Sequence, residues 1–140
     1  MTDFSDYVTD MVHEPTQTEG AGVDLTVADV REIVAPGRID FGGGELEPAA
    51  TVPHRREKRD PEDDYEWWSL GAGQYLLEFN ESLTDAATVT VQPRTELLER
   101  GATHPTLHVE ELPRVPLSVG GAGLKLKENA RVSTVVAADQ

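Results

Sequence analysis

Gly73-Gln-Tyr-Leu-Leu-Glu-Phe-Asn-Glu-Ser-Leu83 is followed by Thr84-Asp-Ala-Ala-Thr-Val-Thr-Val-Gln92 and then by Pro93-Arg-Thr-Glu-Leu-Leu-Glu-Arg-Gly-Ala102. The first part reads as a strand, and the second ends in another. The third begins on a proline and stops at a glycine, the punctuation of a short helical turn. Together they would deliver Arg94 to the start of that turn. Helix N-termini offer unpaired N–H groups and the positive end of a dipole, so the place suits an anionic ligand.

Upstream, Met1–Thr18 is a polar segment with a weak apolar set at Phe4, Tyr7, Val8, Met11 and Val12. That spacing predicts one short amphipathic helix, ended by Pro15. Val23, Leu25 and Val27 alternate with Asp24 and Thr26, which predicts a strand over Gly22–Val27. Asp29–Val34 reads as a helical turn, Pro36-Gly37 as a turn and Arg38–Phe41 as a brief strand. Residues 42–66 read as a polar insertion loop, opened by three glycines. Within it His54–Arg59 forms a basic island, followed at once by Pro61-Glu62-Asp63-Asp64. The island suits phosphate or an acidic partner surface, or is a solvated loop that compensates its own charge. Trp67-Trp68 suits packing against the strand that starts at Gln74, or a base-stacking platform.

Downstream, Thr106–Glu110, Arg114–Val119, Gly123–Leu126 and Arg131–Ala137 are strand candidates separated by Pro105, Pro113, Gly120-Gly121 and Glu128-Asn129. Many short strands with Gly and Pro punctuation mean an antiparallel sandwich or barrel. His104 and His108 would share a strand face, but no third metal ligand accompanies them.

The 140 residues predict a single domain with a modest core: 38% are hydrophobic and 6% aromatic. Such a chain gains burial from identical neighbours. It carries 26 acidic against 12 basic residues, a net charge of −14, and only three of the basic residues are lysines (Lys58, Lys125, Lys127). This reads as adaptation to high salt, which screens self-repulsion, rather than plain solubilisation. It disfavours direct nucleic-acid binding, which needs positive surface. The absence of cysteine excludes disulfides and thiolate zinc sites. No apolar run approaches a membrane span and no signal-like segment opens the chain, so the expected location is cytoplasmic, or a virion assembled there.

Gly22-Val23-Asp24-Leu25-Thr26-Val27, Gly37–Phe41, Gly73-Gln74-Tyr75 with Glu78-Phe79-Asn80-Glu81, Pro93-Arg94 with Leu97-Leu98 and Gly101-Ala102-Thr103, and Asn129-Ala130-Arg131-Val132 occur in that order. Together they resemble the archaeal branch of the dUTPase/dCTP deaminase family, over nearly the whole chain. The resemblance implies a β-barrel or jelly-roll-like subunit with one or two short helices. It also implies a homotrimer with nucleotide sites between subunits. Members cleave dUTP to dUMP and pyrophosphate with Mg²⁺, or deaminate dCTP without a metal.

Several functional positions depart from that pattern. The family's Pro-Arg-Ser-Ser-Leu turn is here Pro93-Arg94-Thr95-Glu96-Leu97, so a carboxylate stands where a triphosphate would sit. A second family arginine is replaced by Glu99, with Arg100 displaced by one position, about 100° around a helix. The Trp-Asp-Pro-Gly-Tyr-Arg-Gly-like segment that holds the sugar and supplies the acidic residue is replaced by Leu107–Pro116. Glu110 or Glu111 would have to serve as the base, within hydrogen-bond reach of its water. The family's late glutamine is missing from Arg131-Val132-Ser133-Thr134, and no glycine-rich arm follows.

The reading is therefore a diverged, non-catalytic, trimeric dUTPase-like protein acting as a structural or interaction module, nucleotide-responsive or part of a larger assembly such as a virion. The alternative is an active dUTP diphosphatase or dCTP deaminase. Its catalytic candidates are Asp24, Glu110 and Glu111, with Arg94, Thr95 and Arg100 toward phosphate. No resident metal is expected, and Mg²⁺ only with the dUTPase alternative. Arg94 in a salt bridge and Asp24 paired with an arginine are the simpler roles for those two residues.

Overall fold

A computed structural model describes residues 4–84 and 87–139. Residues 1–3 of the N-terminal segment, 85–86 of the opening stretch and 140 lie outside it.

In chain order the strands are β1 (Val8–Thr9), β2 (Val23–Ala35), β3 (Ala50–Pro53), β4 (Trp67–Leu70), β5 (Gly73–Phe79), β6 (Ser82–Leu83), β7 (Thr88–Pro93), β8 (Ala102–Thr103), β9 (Leu107–Val109), β10 (Val115–Val119), β11 (Leu124–Lys127) and β12 (Arg131–Asp139). Two short helices, α1 (Glu14–Gln17) and α2 (Thr95–Glu99), and a 3₁₀ turn at Phe4–Tyr7 complete the set. One antiparallel sheet runs β8-β10-β5-β2-β12-β7-β9, with β3 added to the far end of β2. Two small ribbons, β1-β6 and β11-β4, lie beside it. The protein is all-β, as its punctuation predicts.

The core follows from period-two alternation. Tyr75, Leu77 and Phe79 of β5 are buried, as are Val115, Leu117 and Val119 of β10 and Val89 and Val91 of β7. Each such side chain contributes about 1.5–3 kcal/mol on burial. β4 and β11 close one side with Trp68, Leu70, Leu124 and Leu126. Trp68 is fully buried and Trp67 only partly, so packing claims one tryptophan.

β2 sits between β5 and β12, and its first five residues, Val23–Val27, are buried without alternation. Its polar members therefore need partners inside the protein.

Four local expectations change. The amphipathic helix over residues 1–18 is instead a 3₁₀ turn, a two-residue strand and α1, and Pro15 starts α1 rather than ending a helix. Proline's fixed φ and missing N–H suit a first turn. The helical turn at Asp29–Val34 is a continuation of β2. A bulge between Val27 and Asp29 breaks the alternation, and the valine-isoleucine spacing beyond it imitates a helix. Arg38–Phe41 is no strand; only Arg38 bridges, to Glu47. The 42–66 insertion is not all loop. It contains β3 and a bridge between Glu57 and Trp67.

Candidate functional site

β12 lies between β2 and β7, and its register sets Thr134 opposite Asp24 on one side and Gln92 on the other. Arg94 follows at the end of β7, its backbone N–H held by Val132 O at 2.9 Å. Asp24, Arg94 and Arg131 therefore converge because the register sets Asp24 near the start of β2 beside the first turn of β12 and the end of β7.

Thr134 Oγ1 donates to Asp24 Oδ1 (2.9 Å), and Arg131 Nη1 donates to Asp24 Oδ2 (3.1 Å) and to Glu19 Oε1 (3.0 Å). Arg94 Nε lies 3.6 Å from Asp24 Oδ1, while Arg94 Nη2 donates to Glu96 Oε2 (3.0 Å). The hydrogen bond to Glu19 is the largest cause holding the Arg131 guanidinium above its ordinary pKa, opposed by desolvation and aided by the charge of Asp24. Around these groups runs a cleft of about 410 Å³, lined also by Gly20–Gly22, Pro93 and Thr95. A side chain at Gly22 would stand 2.2 Å from Val135 O, so only glycine lets this rim approach β12.

Thr95 is exposed at the start of α2 and lines the cleft beside Arg94. Arg100 is outside it: its Nη1 donates to Glu96 O at the end of α2 (3.0 Å). Glu99 is exposed. Glu110 and Glu111 are exposed in the link between β9 and β10. Glu111 borders a different hollow, with Ser82, Leu83 and Leu112. Within the subunit, neither glutamate lines the Arg94 cleft.

Both oxygens of Asp24 are taken by hydrogen bonds, and Glu19 and Glu96 each face a guanidinium. These carboxylates are not arranged as the donor set of a cation. Among the described residues, no group of three His, Asp or Glu is placed to hold a metal.

The histidines do not share a face. His104 is buried, with Nδ1 2.8 Å from Pro105 O and Nε2 2.7 Å from Ser133 Oγ. The carbonyl accepts from Nδ1–H, so Nε2 is free to accept from the serine hydroxyl. Burial lowers the His104 pKa, and the bond to Pro105 opposes this in part. His108 is exposed on β9, beside Thr90 and Asp139. Pro105 lies between β8 and β9 and ends the common strand.

The basic island spends its charge locally. Arg55 pairs with Glu57, Arg56 with Glu66 and Glu128, and Arg59 approaches Asp63. Arg59 also lies 4.4 Å over the Trp67 ring and Arg56 5.6 Å from that of Trp68. The face of Trp67 available to a base is thus covered from within.

The sequence reading misses one group. Glu81 is 3% exposed, and its carboxylate accepts from Gln17 Nε2 (2.9 Å), Thr26 N (2.8 Å) and Thr26 Oγ1. Gln17 Nε2 also donates to Asp24 O (2.9 Å). Asn80 Nδ2 donates to Thr26 Oγ1 and to Asn129 Oδ1, both at 2.9 Å. This network anchors the strand that carries Asp24. The signal was present: Tyr75, Leu77 and Phe79 set an inward phase, and Glu81 falls on it. A second cleft, of about 420 Å³, opens beside the network between α1 and the β11–β12 turn, lined by His13, Gln17, Tyr65, Lys127 and Asn129 among others.

No family model matches the chain. It is 29% identical over 124 residues to a probable deoxyuridine 5'-triphosphate nucleotidohydrolase of Methanosarcina acetivorans, covering 84% of this chain and 69% of that protein. It is 30% identical over 101 residues to a protein of the same name from Methanococcoides burtonii, covering 69% and 54%. Among solved structures, the 2'-deoxycytidine 5'-triphosphate deaminase of Agrobacterium tumefaciens superposes with a TM-score of 0.56 at 13% identity. The match covers 93% of this chain but only 42% of that one.

Proposed function

We propose that this chain, a dUTPase/dCTP deaminase-like protein in sequence and fold, is a non-catalytic member that keeps the subunit as an interaction module. One observation carries the reading: the arginine of the Pro-Arg turn is neutralised from within, by Asp24 on one side and Glu96 on the other. A triphosphate would have to displace both carboxylates and then sit among them with Glu19. Two like charges about 4 Å apart cost about 4 kcal/mol near a protein surface. The module is expected to assemble as a homotrimer, with a place in a larger assembly, such as a virion, belonging to the same proposal. Light scattering gives the copy number, and co-sedimentation with particles tests the larger role.

The second reading is a working dUTP diphosphatase or dCTP deaminase. It is favoured by Arg94, Thr95 and Asp24 lining one cleft and by the names of the archaeal relatives. Purified protein is incubated with dUTP and with dCTP, with Mg²⁺ at high salt, while pyrophosphate and deaminated product are measured. The expected result is no turnover and no stabilisation by either nucleotide. Turnover that disappears in Arg94→Ala overturns the proposal.

A further inference from the structure

The cleft of about 420 Å³ beside α1 shares only Arg131 with the Arg94 cleft, and Arg131 spends its Nη1 on Thr16 O (3.3 Å), Glu19 and Asp24. Its volume is that of a pocket for a small organic molecule. Its surroundings are fixed before any ligand arrives. Gln17 and Thr26, each 2% exposed, belong to the Glu81 network. His13 N donates to Gln17 Oε1 (2.8 Å), which ties the start of α1 to that network. On the β11–β12 turn Asn129 holds a left-handed φ of 62°, and its backbone N–H donates to Val27 O (3.1 Å). Val12, Tyr65 and Ala130 give the cleft its apolar surface.

The valences left unused by the lining groups decide what the cleft can take. Asn80 Nδ2 donates to Val27 O, which can only accept, and the same nitrogen lies 2.9 Å from Asn129. Asn129 therefore turns its amide oxygen to Asn80, and its two side-chain N–H donors have no partner among the described residues. Lys127 is half-buried. Among the described residues every arginine but Arg100 pairs with a carboxylate, yet the Lys127 ammonium meets only the rings of Tyr65 (5.3 Å) and Trp67 (5.7 Å). Resting on a ring leaves its N–H groups free to donate. The carboxylate in the cleft is already engaged: Glu128 Oε1 accepts from Arg56 Nη1 (3.2 Å) and Oε2 from Glu66 N (2.6 Å). A cation would find no free carboxylate here. An anion would find an ammonium and an amide two residues apart, within a chain whose net charge of −14 otherwise repels it. We propose that this cleft binds a small organic anion, its carboxylate or phosphate head held by Lys127 and Asn129 and its apolar body, about one ring in size, lying against Val12, Tyr65 and Ala130. Because the walls are already held by the protein's own hydrogen bonds, binding does not have to order them.

The site is independent of whether the Arg94 cleft turns nucleotide over. Its test is an amide NMR titration of the whole chain with benzoate, phenyl phosphate and, as the cation of similar shape, benzylamine. Ligands this small bind in the millimolar range, so each is added to about 20 mM. The expected result is saturable shifts of the His13, Lys127 and Asn129 signals with benzoate, phenyl phosphate or both, and none with benzylamine. The tighter of the two anions identifies the head group. Lys127→Gln removes the charge, and Asn129→Asp keeps the acceptor for Asn80 while replacing the free donors by a carboxylate oxygen. Each should weaken anion binding about tenfold or more. Aspartate tolerates the left-handed backbone, so the Asn129 variant should fold, which circular dichroism checks. Lys127→Gln decides the matter if it does not. No saturable shift with either anion overturns the proposal, as does equal binding of benzylamine or an affinity unchanged by Lys127→Gln. Shifts confined to Arg94, Thr95 and Glu96 also overturn it, because they put the anion in the other cleft.

Discussion

Removing the carboxylate of Glu81 is the sharpest test of how the fold supports the cleft. Three donors converge on it, and they are not equally replaceable. Gln17 Nε2 keeps a second acceptor in Asp24 O (2.9 Å), and the Thr26 hydroxyl can rotate to another partner. The Thr26 backbone N–H has no such freedom, because strand geometry aims it at Glu81 Oε1 (2.8 Å). An orphaned buried donor costs about 1–3 kcal/mol, and weakening the other two bonds adds to it, so Glu81→Ala should destabilise by about 2–4 kcal/mol. At roughly 3 °C per kcal/mol for a chain of this size, that lowers Tm by about 6–12 °C. Glu81→Gln keeps the shape but sets an amide N–H₂ against one or more of the same donors, and should cost about 1–3 kcal/mol. Glu81→Leu excludes any water that might repair the Ala variant, and should cost at least as much. The assay is chemical denaturation with a double-mutant cycle against Gln17→Ala, whose coupling should exceed about 0.5 kcal/mol. Glu81→Leu unfolding within about 0.5 kcal/mol of wild type would refute the claim that this carboxylate anchors β2.

Three further outcomes follow from the same geometry. Above pH about 6.5 His104 is neutral whether folded or unfolded, but below that only the unfolded chain protonates freely, because burial holds the folded pKa down. Its share of stability is therefore present above about 6.5 and is lost as pH falls toward the lowered folded value. The denaturation midpoint of wild type should drop through that window, and that of His104→Gln less. Asp24→Asn takes the charge that Arg94 and Arg131 share but leaves them Glu96 and Glu19, so urea titration should read a loss of about 1–2 kcal/mol. Trp68→Ala should cost about 3–5 kcal/mol by emptying the core, against about 1–2 for Trp67→Ala, whose ring mainly supports Arg59 and Lys127.

Elements whose alternation is unbroken were legible in the sequence. Gln74–Phe79, Val89–Val91 and Val115–Val119 announce their buried faces, and Pro93 and Gly101 bracket α2. The half of β2 beyond its bulge was not. After Val27 an extra residue reverses which positions face inward, so Val30, Ile33 and Val34 fall at helical spacing on an extended chain. Pro15 misled because proline has two meanings, a stop inside a helix and a good first residue at its start, and only the tertiary setting of α1 selects the second. The cleft was half legible. Arg94, Thr95 and Asp24 are local in motif, whereas Glu19 and Thr134 join them only through strand register.

That register also explains how Arg94 is held without a bound anion. A buried or half-buried guanidinium left unpaired is costly, so a turn that keeps its arginine must supply a countercharge from ligand or protein. Here the protein supplies it twice. Glu96 reaches back from α2 and Asp24 reaches across from β2, while Asp24 is itself fixed by Arg131 and Thr134. Each acidic group holds a cation that another element presents, so the network ties β2, β7, β12 and the Glu19 segment together. Arg94 is thus held by the fold itself, with Glu96 and Asp24 as its two countercharges. Replacing Glu96 by Ser should therefore free one side of Arg94 and raise the affinity of the cleft for inorganic pyrophosphate, while leaving Asp24 in place. Calorimetry with the wild type and Glu96→Ser measures it, and equal binding by the two would show that Asp24 alone suffices to occupy the arginine.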